Sequence, residues 1–595
     1  MSDFIFGTLA TDALRRQHVD KLRSGITHLQ QRSPRHPLPG QTIQLHLTSG
    51  PLLPGSRAWA YWTTDGSDPI GVQGVAFNGH ALEMQLSQEE WDTVLWGYIR
   101  HFTVELPGQR DDTLVRYRLS CYSPAQGEIF ADNGAYYAFY VETAGPPAWT
   151  QSAVIYQVFP DRFSPGSHQS WQRPASLGGF FGGTLSAILD KLDYISELGC
   201  NTIWLNPIFP SPSHHGYDAT DLFTVEPRLG TLQDFTALLA AAHQSGIRIL
   251  LDFVPNHWSH LHPTFQNAIA DANSPYHNWY TFRHWPDEYE TFFGVKSLPQ
   301  INLRNPAARQ HLLEAAKYWL DLGVDGYRLD YAIGPAPDFW ADFRRVTRAA
   351  NPQSWTFGEV VDPPDVQIAF EGQLDGCLDF VLLEGLRRAL AYGSWDGVEF
   401  GRFLERHTAF FPADFSRPSF LDNHDMNRFL WAAQGDKRRL RLAALCQFTL
   451  PGQPVIYYGT EVGLSQQRDV RQGERGVPEE SRLPMLWGQE QDLALLEFYR
   501  SLIALRQNQL PLQIGSLQII QSQPGLLVYA RQHDNDRIGV ALNLTAESMQ
   551  VNLQLPVRKT LLTSEYGVTV TASDHHPRID RKSTRLNSSH IAVSR

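Results

Sequence analysis

The sequence predicts an α/β protein: a (β/α)8 TIM barrel with a lobe inserted after its third strand, flanked by N-terminal and C-terminal β-sandwich domains. Three observations predict it. Eight short apolar runs alternate with helix-length amphipathic segments through the middle of the chain, which is the element count of a (β/α)8 barrel. One connection in that alternation, after the third run, holds roughly fifty residues and is too long for a plain loop. The segments on either side of the alternation instead show short period-two runs separated by turn residues, the pattern of antiparallel sandwiches.

In chain order, residues 1–40 form a polar lead ending in the Pro-interrupted "QQRSPRHPLPGQ". Residues 41–145 carry the alternating runs "TIQLHLT", "RAWAYWTT", "TLVRYRLSCYS" and "YYAFYVE" and read as the N-terminal sandwich. "TAGPPAWTQ" is a linker. The barrel spans 146–510, with strands "AVIYQVF", "TIWLN", "RILLDFV", "VDGYRLD", "WTFGEV", "GCLDFV", "PSFLDN" and "PVIYYG". Helical patterns such as "TLSAILDKLDYISELG", "TLQDFTALLAAAHQSG" and "AARQHLLEAAKYWLDLG" lie between them, each closed by Gly as a stop signal. The inserted lobe is placed at 258–303, and residues 511–580 form a second small β domain with runs such as "LLVYARQ" and "IGVALNL". The last stretch, 581–595, is basic, Ser-rich and aperiodic; it is expected to be a disordered or non-native tail replacing a final strand.

Composition excludes several function classes. A net charge of −12 over 595 residues argues against nucleic acid and anionic membrane as partners, since both need basic patches. The cysteines Cys121, Cys200, Cys377 and Cys446 are far apart without CxxC spacing, so they read as buried thiols rather than disulfides or a zinc site. "MSDFIFGTLATDALRRQ" lacks a basic segment followed by an apolar core, and no later run is long and apolar enough to span a bilayer. The chain therefore reads as soluble and cytoplasmic.

Barrel enzymes carry their chemistry at the C-terminal ends of the strands, and four predicted strands end in polar clusters. The third ends "DFVPNH", with Asp252, Asn256 and His257; the fourth "GYRLD", with Arg328 and Asp330; the fifth "GEV", with Glu359; the seventh "LDNHD", with Asp422, His424 and Asp425. Arg328 and Asp330, two apart on a strand, share a face and form an ion pair. Each residue alone has a bland reading: a structural salt bridge for Asp330, a solvated helix start for Glu359, a core histidine for His424. Asp252, His257, Glu359, His424 and Asp425 could also ligate a catalytic metal, although "AVIYQVF" lacks the HxH pair of such barrels.

These four motifs, in this order, resemble the signature regions of the α-amylase family of retaining glycoside hydrolases, and "GGTLSAILDKLDYISELGCNTIWLNPIF" and "HGYDATD" strengthen the match over about residues 150–510. The N-terminal β region followed by "AVIYQVFPDRF" is similar to the neopullulanase, cyclomaltodextrinase and maltogenic amylase branch. The resemblance implies Asp330 as nucleophile, Glu359 as acid/base and Asp425 as transition-state stabiliser. It further implies Tyr217, His257, Arg328 and His424 at the substrate, with Asp218 and Asp252 in supporting positions. Arg482, in "SRLPMLW", stands between substrate contact and loop ion pair. Implied too are an α-glucan oligosaccharide substrate with α-1,4 linkages, no organic cofactor, Ca²⁺ binding in relatives of this branch, and homodimers through the N-terminal module. An α-1,6-glucosidase, a glucanotransferase or a non-catalytic glucan-binding relative are the alternatives. After Glu359 come Val360 and Val361, where many neopullulanase relatives carry a Trp, and "LPQIN" in the lobe matches neither linkage class.

Overall fold

The computed structural model describes residues 12–166, 170–472, 476–545, 551–552, 559–563, 568–571, 578–581 and 589–594. Its centre is a parallel sheet running, in hydrogen-bonded order, Gly376–Cys377, Trp355–Gly358, Gly326–Leu329, Arg248–Phe253, Thr202–Leu205, Ile155–Val158 and Val455–Tyr457. Segment 416–419 joins the two edges, bridging Gly376 through Ser416 and Pro454 through Ser419. Cys377 N–H reaches Ser416 O at 3.0 Å, and Val455 N–H reaches Ser419 O at 2.7 Å. The barrel thus has its eight positions, but the sixth and seventh are shorter than the sequence predicts. "GCLDFV" turns helical at Phe380–Leu386 because the Asp379 carboxylate caps that helix, accepting from Leu382 N–H.

Helices begin and end where their signals stand. Thr231 and Asp234 form a capping box on Leu232–Gln244, and Gly199 ends Leu192–Leu198 at φ 98°. The expected single helix at 184–199 is broken into Leu185–Leu189 and Leu192–Leu198. Strand residues alternate between two clusters. Tyr156, Val158, Ile203, Leu251, Tyr327 and Leu329 pack in the large core, while Ile155, Trp204, Leu250, Trp355 and Phe357 form a separate one, as expected of strands buried on both faces. Gln157, Asn206, Asp252, Arg328, Asp330 and Glu359 carry on the parity of this second set. The inward-facing row therefore becomes polar at the strand ends.

The N-terminal module starts earlier than predicted. Asp12–Ser24 is helical, and Ile26–Thr27 and Arg32–Ser33 pair with Ile43–Ser49, strands of two residues that a polar, Pro-rich lead conceals. Strand His80–Asp92 pairs through its first half with Arg57–Thr63 and through its second half with Gly97–Leu106. It joins the two halves of the module, whose inward residues share one core. The module docks on the helix Phe339–Ala350 through charge. Arg116 binds Asp338, and binds Asp342 at 2.7 Å; Arg309 reaches both aspartates at 2.7 Å. Asp338 is completely buried and Arg116 and Asp342 nearly so.

The C-terminal domain orders Ser516–Gln523, Leu526–His533, Asp536–Asn543, Ser589–Ser594 and Lys559–Thr563 in one sheet. Within the stretch expected to be a disordered or non-native tail, Ser589–Ser594 pairs with both Asp536–Asn543 and Lys559–Thr563, while 582–588 and 595 lie outside the described residues. All four cysteines are buried, and no helix among the described residues is long and apolar enough to cross a membrane.

Candidate active site

The strand ladder places the carboxylates. Asp252 lies beside Arg328 and Arg328 beside Phe357 in parallel register. One step past the strands, Asp330 N–H bonds Phe253 O at 2.9 Å and Glu359 N–H bonds Leu329 O at 2.8 Å, so both acids are fixed by backbone. Gly326 is required where the fourth strand meets the fifth: a Cβ there would lie 1.9 Å from Trp355 O.

Arg328 joins three acids rather than the one the sequence reading assigned. Its Nη1 lies 2.8 Å from Asp252 Oδ1 and 2.9 Å from Asp330 Oδ1, and its Nη2 lies 2.8 Å from Glu359 Oε1. The guanidinium is fully buried and cannot give up its proton. Three carboxylates around one cation leave surplus negative charge, so the cluster retains a proton readily. Burial, reinforced by Asp330 and Asp425, pushes Glu359 up to about 8 against the opposing pull of Arg328. Asp330 is itself raised by burial to about 7, with Asp252 and Asp425 adding to the rise against Arg328. Both acids are thus drawn toward the protonated form. Asp425 moves the other way: despite its burial, His424 and Arg482 hold it below the usual carboxylate range.

Asp330, Glu359 and Asp425 open onto one cavity of about 480 Å³, together with His215, Tyr217, Asp218, His257 and Arg482. His257 stacks on Phe292 of the lobe, ring centroids 4.3 Å apart, and its Nδ1 lies 3.1 Å from the Asn256 amide nitrogen. Asp218 accepts from Ser211 and Ser213 hydroxyls. Arg482 lines the cavity while its Nη2 binds Asp425 Oδ1 at 2.8 Å.

Three of these residues lie deeper than the cavity wall. Arg328 and Asp252 are completely buried beneath the cavity, Arg328 binding the acids directly. His424 is also completely buried; its Nε2 lies 2.9 Å from Asp425 Oδ2 and its ring stacks on Tyr217 at 5.2 Å. Sequence reasoning also missed Phe292 and Phe293. With Tyr331 they form an aromatic wall beside the acids, Tyr331 lying 4.9 Å and 5.3 Å from the two phenyl rings. Both Tyr331 (φ 40°) and Phe293 (φ 47°) hold left-handed backbone, a strain that clusters at working sites. Gln157 and Asn206 lie at the same strand ends, and no motif had flagged them.

Among the described residues no group of three or more His, Cys, Asp or Glu is placed to hold a metal ion. Asn256 accepts from Gln300 Nε2 at 3.0 Å. The reading of five strand-end residues as metal ligands is not supported.

Comparison with known proteins gives one answer at each level. The family described as "Alpha amylase, catalytic domain" matches residues 157–494. "Alpha-amylase 2" of Dictyoglomus thermophilum is 35% identical over 564 residues, covering 93% of this chain and 94% of its own. "Neopullulanase 2" of Thermoactinomyces vulgaris is 34% identical over 433 residues, 69% of this chain and 72% of its own. Among solved structures, a cyclomaltodextrinase superposes with TM-score 0.68 at 26% identity, covering 96% of this chain and all of that one. With the family domain lying over the acids, the cavity and the barrel that holds them, the chain belongs to the α-amylase family of glycoside hydrolases.

Proposed function

We propose that the enzyme cleaves α-1,4-glucosidic bonds of maltooligosaccharides, cyclodextrins and related α-glucans with retention of configuration, and transfers part of its product to a second sugar. The observation that carries this is the bridging of Asp330 and Glu359 by the two arms of one buried guanidinium. Such a bridge favours the close carboxyl spacing, about 5–5.5 Å, of a double-displacement mechanism. Glu359 gives its proton to the departing glycosidic oxygen while Asp330 attacks the anomeric carbon. Glu359, now a carboxylate, takes a proton from the water that hydrolyses the glycosyl ester, restoring both acids. Asp425, held ionised by Arg482 and His424, stabilises the positive charge that develops on the sugar. Tyr217, Asp218 and His257 line the cavity where hydroxyls and ring faces would meet them.

A second reading, cleavage of α-1,6 bonds, is favoured by solved relatives. These include a cyclic α-maltosyl-(1→6)-maltose hydrolase from Arthrobacter globiformis (29% identity, TM-score 0.66, 76% of this chain and all of that one). The product profile on maltotriose, β-cyclodextrin, pullulan and isomaltose, with anomeric configuration followed by NMR, separates the readings. Cleavage confined to isomaltose and the α-1,6 bonds of pullulan would replace the first with the second, and inversion would overturn the mechanism.

We further propose a homodimer through the N-terminal module, supported by the exposed apolar side chains Ile70, Val75, Phe77, Trp91, Trp96 and Tyr98 on its hairpins. A cytoplasmic setting is supported by the relative named "Intracellular maltogenic amylase" of Bacillus subtilis.

A further inference from the structure

A chain of four side chains connects Asp252 to Asp425 beneath the cavity, and its hydrogen-bond direction is determined at one end. Asp252 Oδ1 receives Arg328 Nη1, and Oδ2 receives the Trp204 indole N–H at 3.0 Å and the Tyr217 hydroxyl at 2.7 Å. Arginine and indole can only donate, so this carboxylate acts as an acceptor and the Tyr217 proton points to it. The Tyr217 oxygen then accepts from Asn206 Nδ2 at 2.7 Å. That leaves Asn206 Oδ1 turned to Gln157, whose Nε2 donates to it at 3.1 Å. The same Nε2 stands 3.0 Å from His424 Nδ1. A primary amide nitrogen has two protons and no lone pair to offer; His424 Nδ1 must therefore be an acceptor. A second observation agrees. With Nε2 committed to both neighbours, Gln157 Oε1 is buried without a hydrogen-bond partner, the residue itself being completely buried. Burial also lowers His424 to about 4, so its ring is neutral and carries one proton.

We propose that Gln157 and Asn206 are positioning residues that hold His424 in the Nε2–H tautomer, which puts its only proton on the nitrogen that lies 2.9 Å from Asp425 Oδ2. The chain passes from the third strand to the loop after the seventh by way of the second and first. It turns the acceptor character of one carboxylate, Asp252, into a donor nitrogen beside another. Asp425 then holds Arg482 on one oxygen and His424 on the other, which fixes its orientation before substrate arrives.

The role in turnover rests on the glycosidase reading above, but the tautomer does not, and the test reads the two separately. In ¹⁵N-labelled full-length enzyme, long-range ¹H–¹⁵N correlation should show His424 protonated on Nε2 and bare on Nδ1. In Gln157→Glu the new carboxylate can only accept, so the proton should move to Nδ1 or the ring become an imidazolium. kcat on maltotriose should then fall roughly 100-fold with KM changed far less. Gln157→Leu, which removes the donor without reversing it, should give mixed tautomers and a smaller loss. Asn206→Asp serves if the Gln157 variants fail to fold, and it should disturb the His424 signals although it does not touch that ring. An Nδ1–H tautomer in the wild type, or an unchanged His424 spectrum in folded Gln157→Glu or Asn206→Asp, overturns the proposal. A shifted tautomer with kcat unchanged would overturn the positioning role.

Discussion

Two of the clusters in which the molecule brings arginine together with aspartate or glutamate are built on opposite plans. At the docking face of the N-terminal module, two guanidinium groups, Arg116 and Arg309, meet two carboxylates, Asp338 and Asp342. Beneath the catalytic cavity, one guanidinium, Arg328, meets three carboxylates, Asp252, Asp330 and Glu359. The first closes its own charge and can serve as a geometric clasp. The second cannot, and desolvation, reinforced by its surplus charge, raises all three of its acids, Glu359 and Asp330 the most, toward neutrality, where proton transfer is efficient. Balance makes a joint; imbalance makes a catalyst.

Substitutions in the two clusters should therefore fail differently. The largest effect is expected from Asp330→Asn, which removes the attacking oxygen and should lower kcat on maltotriose roughly 10⁴-fold or more. Thermal melting should show no loss of stability, because surplus negative charge is relieved. Next is Glu359→Gln, with a loss of roughly 10³-fold on unactivated substrates. Its pH profile sharpens the contrast. Wild-type activity needs Glu359 protonated and Asp330 ionised, so kcat/KM should fall as pH rises through about 8 and as pH drops through about 7. The alkaline limb should vanish in Glu359→Gln, and a limb that persisted would assign the proton elsewhere. The smallest effect on turnover is expected at the docking face. Asp338→Asn leaves the buried Arg116 and the partly buried Arg309 sharing Asp342 and should cost about 2–4 kcal/mol of stability by denaturant unfolding. kcat at 25 °C should stay within roughly twofold. A large kcat loss there would mean that the two clusters are coupled.

How much of this was legible depended on how local each signal was. Asp330, Glu359 and Asp425 were legible because each sits at the end of an apolar run, where a charge contradicts core logic. Arg328 was readable as a partner of Asp330 from strand parity alone. Its contacts to Asp252 and Glu359 were not, since they cross between strands whose register no single segment encodes. The depth of His424 was not legible, because a strand-end position does not say how deeply a ring is buried. Gln157 and Asn206 left no signal at all: a glutamine in "AVIYQVF" and an asparagine after "TIWL" matter only once four strands are side by side. The short strands at Ile26 and Arg32 were hidden for the reverse reason, their pairing being supplied by Ile43–Ser49 rather than by their own composition.

The clasp between module and barrel also bears on how far this chain can be cut. Asp338 lies eight positions beyond Asp330, and both it and Asp342 sit on or beside the helix that follows the nucleophile's loop. Trimming away the N-terminal module would strip Arg116 from both aspartates and open to solvent a face of that helix now packed against Tyr137–Val141. The barrel is thus not a detachable cassette: a minimal enzyme carved from residues 157–494 would need neutral or solvent-adapted replacements at Asp338 and Asp342 before its shortened form could keep the catalytic loop in place.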